Sequence, residues 1–399
     1  MHQKGLMSIF KTYDIRAHAE DITPEITFAA GVRFCQFIQN IENKKEVQIV
    51  IGQDMRPSSP EIAQNIIQGI VAAGGTALDM GLCSTPMNYY ALQSMKADGS
   101  AMVTASHNPV EYNGIKFCRK GPVALSADNG LKDIEQAMSK PLEELPQNGK
   151  EEQVDVTLSY IDFMKEQCTS TRKLKIVIDA GNGMAGLEIP EFQKHFPNLE
   201  IIPLYFDLDG HFPNHDANPS DLATLKDLQQ KVVEEKADFG CAFDGDADRL
   251  GGFVDENGEL IPNDYITTLL AQDRINKNGG KGSVLYVVPS SRIIADVVKE
   301  SGGTPIRSRV GRAFIVQGMK DHEAVFGGEF SGHYCFPEFG NFDCALLAFI
   351  NLLNILEKHE GTFSSLFEHL HRYVASGEIN VRVQDKDAVL ENIKETYSD

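Results

Sequence analysis

The sequence is short of several things, and each shortage closes off a class of function. Basic residues come first: 37 Lys and Arg stand against 57 Asp and Glu, a formal charge of −20. A nucleic-acid or membrane-surface partner needs a basic footprint, which this balance argues against. A small anionic ligand stays open, because a few local arginines can outweigh the global field. The seven cysteines, at 35, 83, 118, 168, 241, 335 and 344, are scattered, odd in number and without a CxxC spacing. They read as reduced thiols, mostly core filler, in a cytoplasmic protein. Long apolar runs are also missing. Met1 to Phe10 has no signal-peptide core. The greasiest stretch, Ala345 to Leu356, is interrupted by Asn351 and Asn354 and is too short to span a bilayer. A core helix is expected there.

What remains is ordinary globular composition, 42% hydrophobic and 24% charged, with no low-complexity tract. A chain of 399 residues leaves room for two to four domains. Strand-like runs alternate with helical patterns, which points to α/β architecture. Three stretches share one plan of strand, polar loop, helix, strand. Val47-Gln-Ile-Val-Ile51 leads through a Gly/Ser/Pro loop to a helix from Pro60 to Ala73. Lys175-Ile-Val-Ile178 leads through Asp179-Ala-Gly-Asn-Gly183 to a helix and then Leu199-Glu-Ile-Ile-Pro203. Ser283-Val-Leu-Tyr-Val-Val288 leads through Pro289-Ser-Ser-Arg292 to a helix, Gly302-Gly303 and a strand. Ser139 to Asp155, rich in Pro, Glu, Gln and Lys, reads as a linker. Asp255-Glu-Asn-Gly258 is a hairpin signal close to the second join.

Three loops carry chemistry-bearing residues. Thr104-Ala-Ser-His-Asn-Pro109 follows the strand-like Ser100-Ala-Met-Val103 and precedes Tyr112-Asn-Gly-Ile-Lys-Phe117. Its Asn-Pro turn can present Ser106 outward with backbone N–H groups free to cup an anion, or it is a surface turn whose serine bonds its own backbone. Phe239 to Phe243 opens onto Asp244-Gly-Asp-Ala-Asp-Arg249. Three carboxylates at i, i+2 and i+4 around a permissive glycine can converge on one hard cation such as Mg²⁺. An EF-hand is excluded by Arg249 at its sixth position and by the strand leading in; a solvated acidic turn is the plain alternative. Gly327-Gly-Glu-Phe-Ser-Gly-His333 combines a carboxylate, a hydroxyl and an imidazole, which suits a polyol, though a structural histidine explains His333 equally well. Together the loops describe metal-assisted phosphoryl transfer to a sugar.

At this point the sequence resembles the α-D-phosphohexomutases, most closely their phosphomannomutase/phosphoglucomutase branch. The match runs in order through Tyr13-Asp-Ile-Arg16, Gly52-Gln-Asp-Met-Arg56, Thr85-Pro86, the serine loop, Tyr112-Asn-Gly-Ile-Lys-Phe117 and Asp179-Ala-Gly-Asn-Gly183. It continues through Asp244-Gly-Asp-Ala-Asp-Arg249, Gly328-Glu-Phe-Ser-Gly-His333 and Gly377-Glu-Ile-Asn380. The resemblance implies three similar α/β/α sandwich domains around a central cleft: 1–148 with the phosphoserine loop, 149–253 with the metal loop and 254–370 with the sugar loop. Residues 371–399 would be the start of a small fourth α+β domain that binds phosphate. It implies a mutase of hexose 1- and 6-phosphates, mannose or glucose, using Mg²⁺ and a sugar 1,6-bisphosphate activator. Ser106 would carry the phosphoryl group, with Asp244, Asp246 and Asp248 holding Mg²⁺ beside it. Arg16, His107, Lys116 and Arg249 would line the transfer site, Lys116 as a candidate acid/base. Tyr13, Arg16, Lys116, Arg249, Arg312, Glu329, Ser331 and His333 would meet the substrate.

The sequence also departs from the family pattern. A lysine usual in the region of Val288-Pro-Ser-Ser291 is missing, and Val310-Gly-Arg312 places an arginine where a histidine is common. No Arg-Pro-Ser-type phosphate loop occurs between Val374 and Asp399, although Glu378 to Val383 alternates like a strand. Weak phosphosugar binding and slow turnover are therefore expected, because remote binding energy positions the reacting end. A non-catalytic sugar-phosphate binder or regulator descended from a mutase is the alternative.

Overall fold

The computed structural model describes residues 9–121, 123–374 and 381–398. Its first sheet holds β1 (Ile15–His18), β2 (Gln48–Gln53), β3 (Thr76–Leu82), β4 (Gly99–Val103), β5 (Tyr112–Arg119), β6 (Val123–Ala124) and β7 (Lys150–Gln153). The order is β1-β5-β4-β2-β3-β7, with β6 beside β5. Successive side chains of a strand face opposite sides, and β2 shows the consequence. Ile49 and Ile51 join a core with helices α1 (Pro24–Glu42), α2 (Ser59–Ala72) and α4 (Leu131–Met138). Val50, between them, faces the other way, into the core that holds α3 (Thr85–Ser94).

The second sheet contains β8 (Leu174–Asp179), β9 (Leu199–Leu204), β10 (Phe239–Phe243), β11 (Leu250–Asp255) and β12 (Leu260–Ile261), in the order β12-β11-β10-β8-β9. Helices α5 (Thr157–Gln167), α6 (Ala185–Gln193) and α7 (Lys226–Glu235) belong to this part of the chain. The third sheet contains β13 (Ser283–Val287), β14 (Thr304–Ser308), β15 (Phe326–Gly328) and β16 (Tyr334–Cys335), in the order β14-β13-β15-β16. With it run α8 (Asn263–Lys277), α9 (Arg292–Glu300), α10 (Arg312–Asp321) and α11 (Ala345–Glu357). A last helix, α12 (Lys386–Thr396), carries no buried residue.

The repeat seen in sequence is a repeat of topology. Each unit has a parallel pair joined by the expected helix: β2 with β3, β8 with β9, β13 with β14. A further parallel strand joins its other side, β4, β10 or β15, and the next strand, β5, β11 or β16, returns antiparallel. The three chemistry-bearing loops all fall at this same return, at 104–111, 244–249 and 329–333.

Two expectations change. The supposed linker from Ser139 to Asp155 contributes β7, whose pairing with β3 extends the first sheet. Its four side chains are all exposed, so backbone bonding alone makes it a strand and no hydrophobic pattern announces it. The alternating strand at 378–383 lies partly outside the described residues; Val381 to Val383 are exposed and form no strand. Helix α11 is the expected core helix, and its asparagines are used. Asn351 donates to the Leu347 carbonyl at 2.8 Å, while Asn354 donates to Gln167 and accepts from Thr169, stitching the third unit to the second. No helix among the described residues is long and apolar enough to cross a membrane.

One core runs through all three units, and within it lies a buried carboxyl, Glu188 on α6. It accepts from Ser84, the cap of α3, and from Tyr160 on α5 at 3.2 Å, while Tyr160 also meets Cys344 ahead of α11. Burial pushes Glu188 up from 4.5 to about 7, against the pull of its two hydroxyl partners. The folded value lies above the unfolded one, so the stability this site contributes is full below about pH 4.5 and is lost as pH rises to about 7. Glu188→Gln should flatten that slope. Denaturation across this window should show wild type losing about 3 kcal/mol relative to the variant. Parallel pH profiles would refute the buried, neutral carboxyl.

Candidate active site

The serine loop is built on a buried arginine. Arg56 follows β2 and is 1% exposed. Its five N–H donors meet five acceptors: Nε the Asp54 carboxylate, Nη1 the Pro109 and Tyr112 carbonyls, Nη2 those of Ser106 and Asn108. Asp54 in turn accepts from Ser59 Oγ at 2.6 Å. This clamp holds Ser106 at φ 54°, a left-handed conformation that few non-glycine residues adopt.

The outcome differs from the exposed serine and open amide cup expected from sequence. Ser106 is buried, and its own N–H is taken by Thr104 Oγ1 at 2.8 Å, as the Asn108 N–H is by the Ala105 carbonyl. Its hydroxyl donates instead to Asp244 Oδ2 at 2.7 Å, across the junction between the first and second units. His107 Nδ1 lies 3.3 Å from the same hydroxyl. Burial, with Arg249 and Arg16 nearby, drives the His107 imidazole down to about 2, so the ring is neutral.

The aspartate loop is tied from within. Asp244 Oδ1 accepts the N–H groups of Asp248 and Arg249, both at 3.1 Å. Gly245 is required by proximity: a Cβ there would lie 2.6 Å from the Ser106 carbonyl oxygen. Lys116, on β5, reaches Asp246 Oδ2 at 2.6 Å and Asp248 Oδ2 at 2.5 Å. Burial works against its charge, but the two carboxylates outweigh burial and hold the ammonium well above its ordinary range. Burial and its aspartate neighbours raise Asp244, whereas Asp246, despite burial, is pulled down by Lys116.

These residues fit a hard divalent cation. Asp244, Asp246 and Asp248 each offer an oxygen, all within 4.8 Å of one another and all buried. Asp246 Oδ1 and Asp248 Oδ1 are buried without a hydrogen-bond partner, a cost that a bound cation relieves. Oxygen donors alone, beside a hydroxyl able to carry phosphate, are the set Mg²⁺ takes.

The third loop closes the site. His333 Nε2 accepts from Arg249 Nε at 2.9 Å, and its Nδ1 faces Asp343 at 2.6 Å. Burial opposes charge on His333, yet Asp248 and Asp343 overcome it and raise the imidazole. Glu329 accepts from the Gly311 N–H at 3.2 Å and from Ser331 at 3.1 Å. Tyr13 donates to the Val310 carbonyl at 3.0 Å, bringing the start of the first unit onto the third. Arg312 stacks over Tyr89 at 5.0 Å, with a buried Nη1 that lacks a partner. Arg16 pairs with Asp14 at 2.6 Å and sits opposite Gly114 on β5.

The structure thus joins Ser106, His107, Lys116, the three aspartates, Arg249 and His333 through direct contacts. Tyr13, Arg312, Glu329 and Ser331 gather around residues 310–312 and the third loop. Sequence reasoning gave no role to Arg56, Thr85 or Asp343. Arg56 and Thr85 lay within quoted motifs, whereas nothing around Gly340-Asn-Phe-Asp343 marks a partner for a histidine ten residues earlier. A cavity of about 1000 Å³, bordered by Phe28, Met138 and Leu142, touches none of these side chains.

Comparison with known proteins points the same way. Family models described as phosphoglucomutase/phosphomannomutase alpha/beta/alpha domains I, II and III match residues 7–144, 158–258 and 262–373. The chain is 35% identical over 398 residues to a phosphomannomutase of Vibrio cholerae, covering 97% of this chain and 85% of that protein. It is 34% identical over 386 residues to a phosphomannomutase/phosphoglucomutase of Pseudomonas syringae, covering 95% and 80%. A solved phosphoglucomutase/phosphomannomutase family protein from Burkholderia thailandensis superposes with a TM-score of 0.84 at 32% identity, over 90% of this chain and 79% of that one.

The Arg56 clamp makes its own prediction. Arg56→Met takes the paired cation from Asp54 and a donor from each of four carbonyls in the interior, which should cost ~3–5 kcal/mol and lower the melting midpoint markedly. Arg372→Ala, which removes an exposed pair with Glu300, should barely move it. Equal shifts in the two melting curves would overturn the clamp.

Proposed function

The chain belongs to the phosphoglucomutase/phosphomannomutase family, and on that premise we propose that it interconverts hexose 1-phosphate and hexose 6-phosphate, of mannose, glucose or both. The observation that carries this reading is the Ser106 hydroxyl held 2.7 Å from Asp244, within a cluster of three buried carboxylates. A serine there has a cation site for the phosphate it would carry, which a plain surface turn lacks.

In the proposed reaction Ser106 Oγ begins phosphorylated. A sugar hydroxyl oxygen forms a bond to that phosphorus as the bond to Oγ breaks, and the hydroxyl proton passes to a base. The resulting 1,6-bisphosphate stays bound, exchanges ends and returns its other phosphate to Ser106 by the reverse step. Added bisphosphate therefore acts as the activator. Asp244, Asp246 and Asp248 would hold Mg²⁺, which would supply charge neutralisation to a phosphoryl group carried on Ser106. Arg16 and Arg249 add fixed positive charge, and His107 lies beside Oγ. Lys116 is the acid/base group: as an ammonium it can give a proton to a leaving oxygen, and as the neutral amine it can take one from the sugar hydroxyl. Glu329 and Ser331 receive ring hydroxyls, with His333 beside them, and Tyr13 and Arg312 meet the far side of the substrate.

With Mg²⁺ and a sugar 1,6-bisphosphate primer, the chain should convert mannose 1-phosphate, glucose 1-phosphate or both to the 6-phosphate. Ser106→Ala, or chelation of the cation, should abolish conversion. Folded protein that converts neither sugar would sink the enzyme reading in favour of a non-catalytic sugar-phosphate binder.

A further inference from the structure

Thr85-Pro86 stands in the sequence without any chemistry of its own. In the structure it opens α3, directly after Ser84, whose hydroxyl accepts from the Met87 N–H at 3.1 Å and donates to Glu188. Thr85 points to a different carboxylate. Its N–H donates to the Asp246 carbonyl at 3.0 Å, and its hydroxyl donates to Asp246 Oδ2. Both residues are fully buried, and they come from different units, 161 positions apart.

The effect on Asp246 follows from counting. Oδ2 already receives the Lys116 ammonium at 2.6 Å, so with Thr85 it holds two donors. Oδ1 is buried and receives none. A carboxylate free to turn about its last torsion offers either oxygen; two donors on one oxygen select a single orientation and present the other. Lys116 cannot do this alone, because it is shared with Asp248 at 2.5 Å. The Thr85 hydroxyl donates to Asp246 alone. Its backbone bond fixes the loop while its side chain fixes the carboxylate.

We propose that Thr85 is a positioning residue that orients Asp246 so that Oδ1 is presented to the divalent cation shared by the three aspartates. The proposal rests on reading those aspartates as a cation site and adds a residue from the first unit to its support. Partners that orient a ligand in this way typically account for 10–100-fold in metal affinity.

The test is a calorimetric Mg²⁺ titration of protein stripped with chelator, comparing wild type, Thr85→Val, Thr85→Ser and Thr85→Ala. Val keeps the shape and removes the hydroxyl; Ser keeps the hydroxyl and removes a methyl. We expect Val and Ala to weaken Mg²⁺ binding at least about tenfold and Ser to stay within about threefold of wild type. At saturating Mg²⁺ the KM for sugar phosphate should be unchanged in the Val variant, and lost kcat should return as Mg²⁺ is raised. Val binding as tightly as wild type would overturn the proposal, and Ser as weak as Val would assign the effect to packing. If Val fails to fold, Ala and Ser decide by the same comparison. Wild-type protein that binds no Mg²⁺ would instead bring down the cation site itself, and the positioning role with it.

Discussion

A single guanidinium holds the site open to chemistry. Arg56 is charged and buried, a combination that is costly unless every donor is matched. Here all five are, and the acceptors are backbone carbonyls of the serine loop together with Asp54. Left-handed backbone at Ser106 costs of order 1–3 kcal/mol and persists only where its surroundings impose it. Arg56 imposes it by capturing the Ser106 carbonyl, which leaves the hydroxyl on the side of Asp244. The same arginine docks the second unit. Phe212 lies 5.0 Å from it, and a Cβ at Gly210 would come within 2.5 Å of its Cα. Loop shape and unit docking thus share one anchor.

That anchor explains why the groups of the proposed site can be spread over three units without being loose. Each unit returns its chain at the same topological point, and each return carries one part of the site. Contacts across the joins then fix the parts relative to one another: Ser106 to Asp244, Thr85 to Asp246, Arg249 to His333, Tyr13 to Val310. None of these bonds is large by itself, since a hydrogen bond contributes roughly 1 kcal/mol net. The first two are buried and the third partly so, and breaking one of these leaves a polar group without water to replace it.

The sequence revealed the ingredients better than their arrangement. The three loops stand out because Gly, Asp, Ser and His cluster after apolar runs, and the strand–loop–helix plan stands out by its period. Both are local signals. Arg56 and Asp343 act on partners too far away, or too ordinary, to show in a pattern: backbone carbonyls in one case, an imidazole on the facing turn in the other. Strand β7 was invisible because Lys-Glu-Glu-Gln buries nothing and is held by backbone pairing alone. The burial of Ser106 is not legible in its own turn for a related reason. An Asn-Pro turn looks like surface until a second unit closes over it, and nothing within the turn encodes that closure.

Charge balance ties these points to function. Three buried aspartates face one another, and in the described contacts Lys116 answers two of them and Arg249 approaches the third at 3.8 Å. Burial and mutual repulsion raise Asp244 and Asp248, while Lys116 keeps Asp246 ionised. The cluster therefore wants a further positive charge, and whatever supplies it must also loosen the hold on Lys116. On the proposed mechanism, proton transfer at Lys116 would be tied to the occupancy of the cation site, because the carboxylates that would hold the cation also grip the ammonium. Open exchange with water would blunt that coupling. The burial secured by Arg56 and the unit joins preserves it.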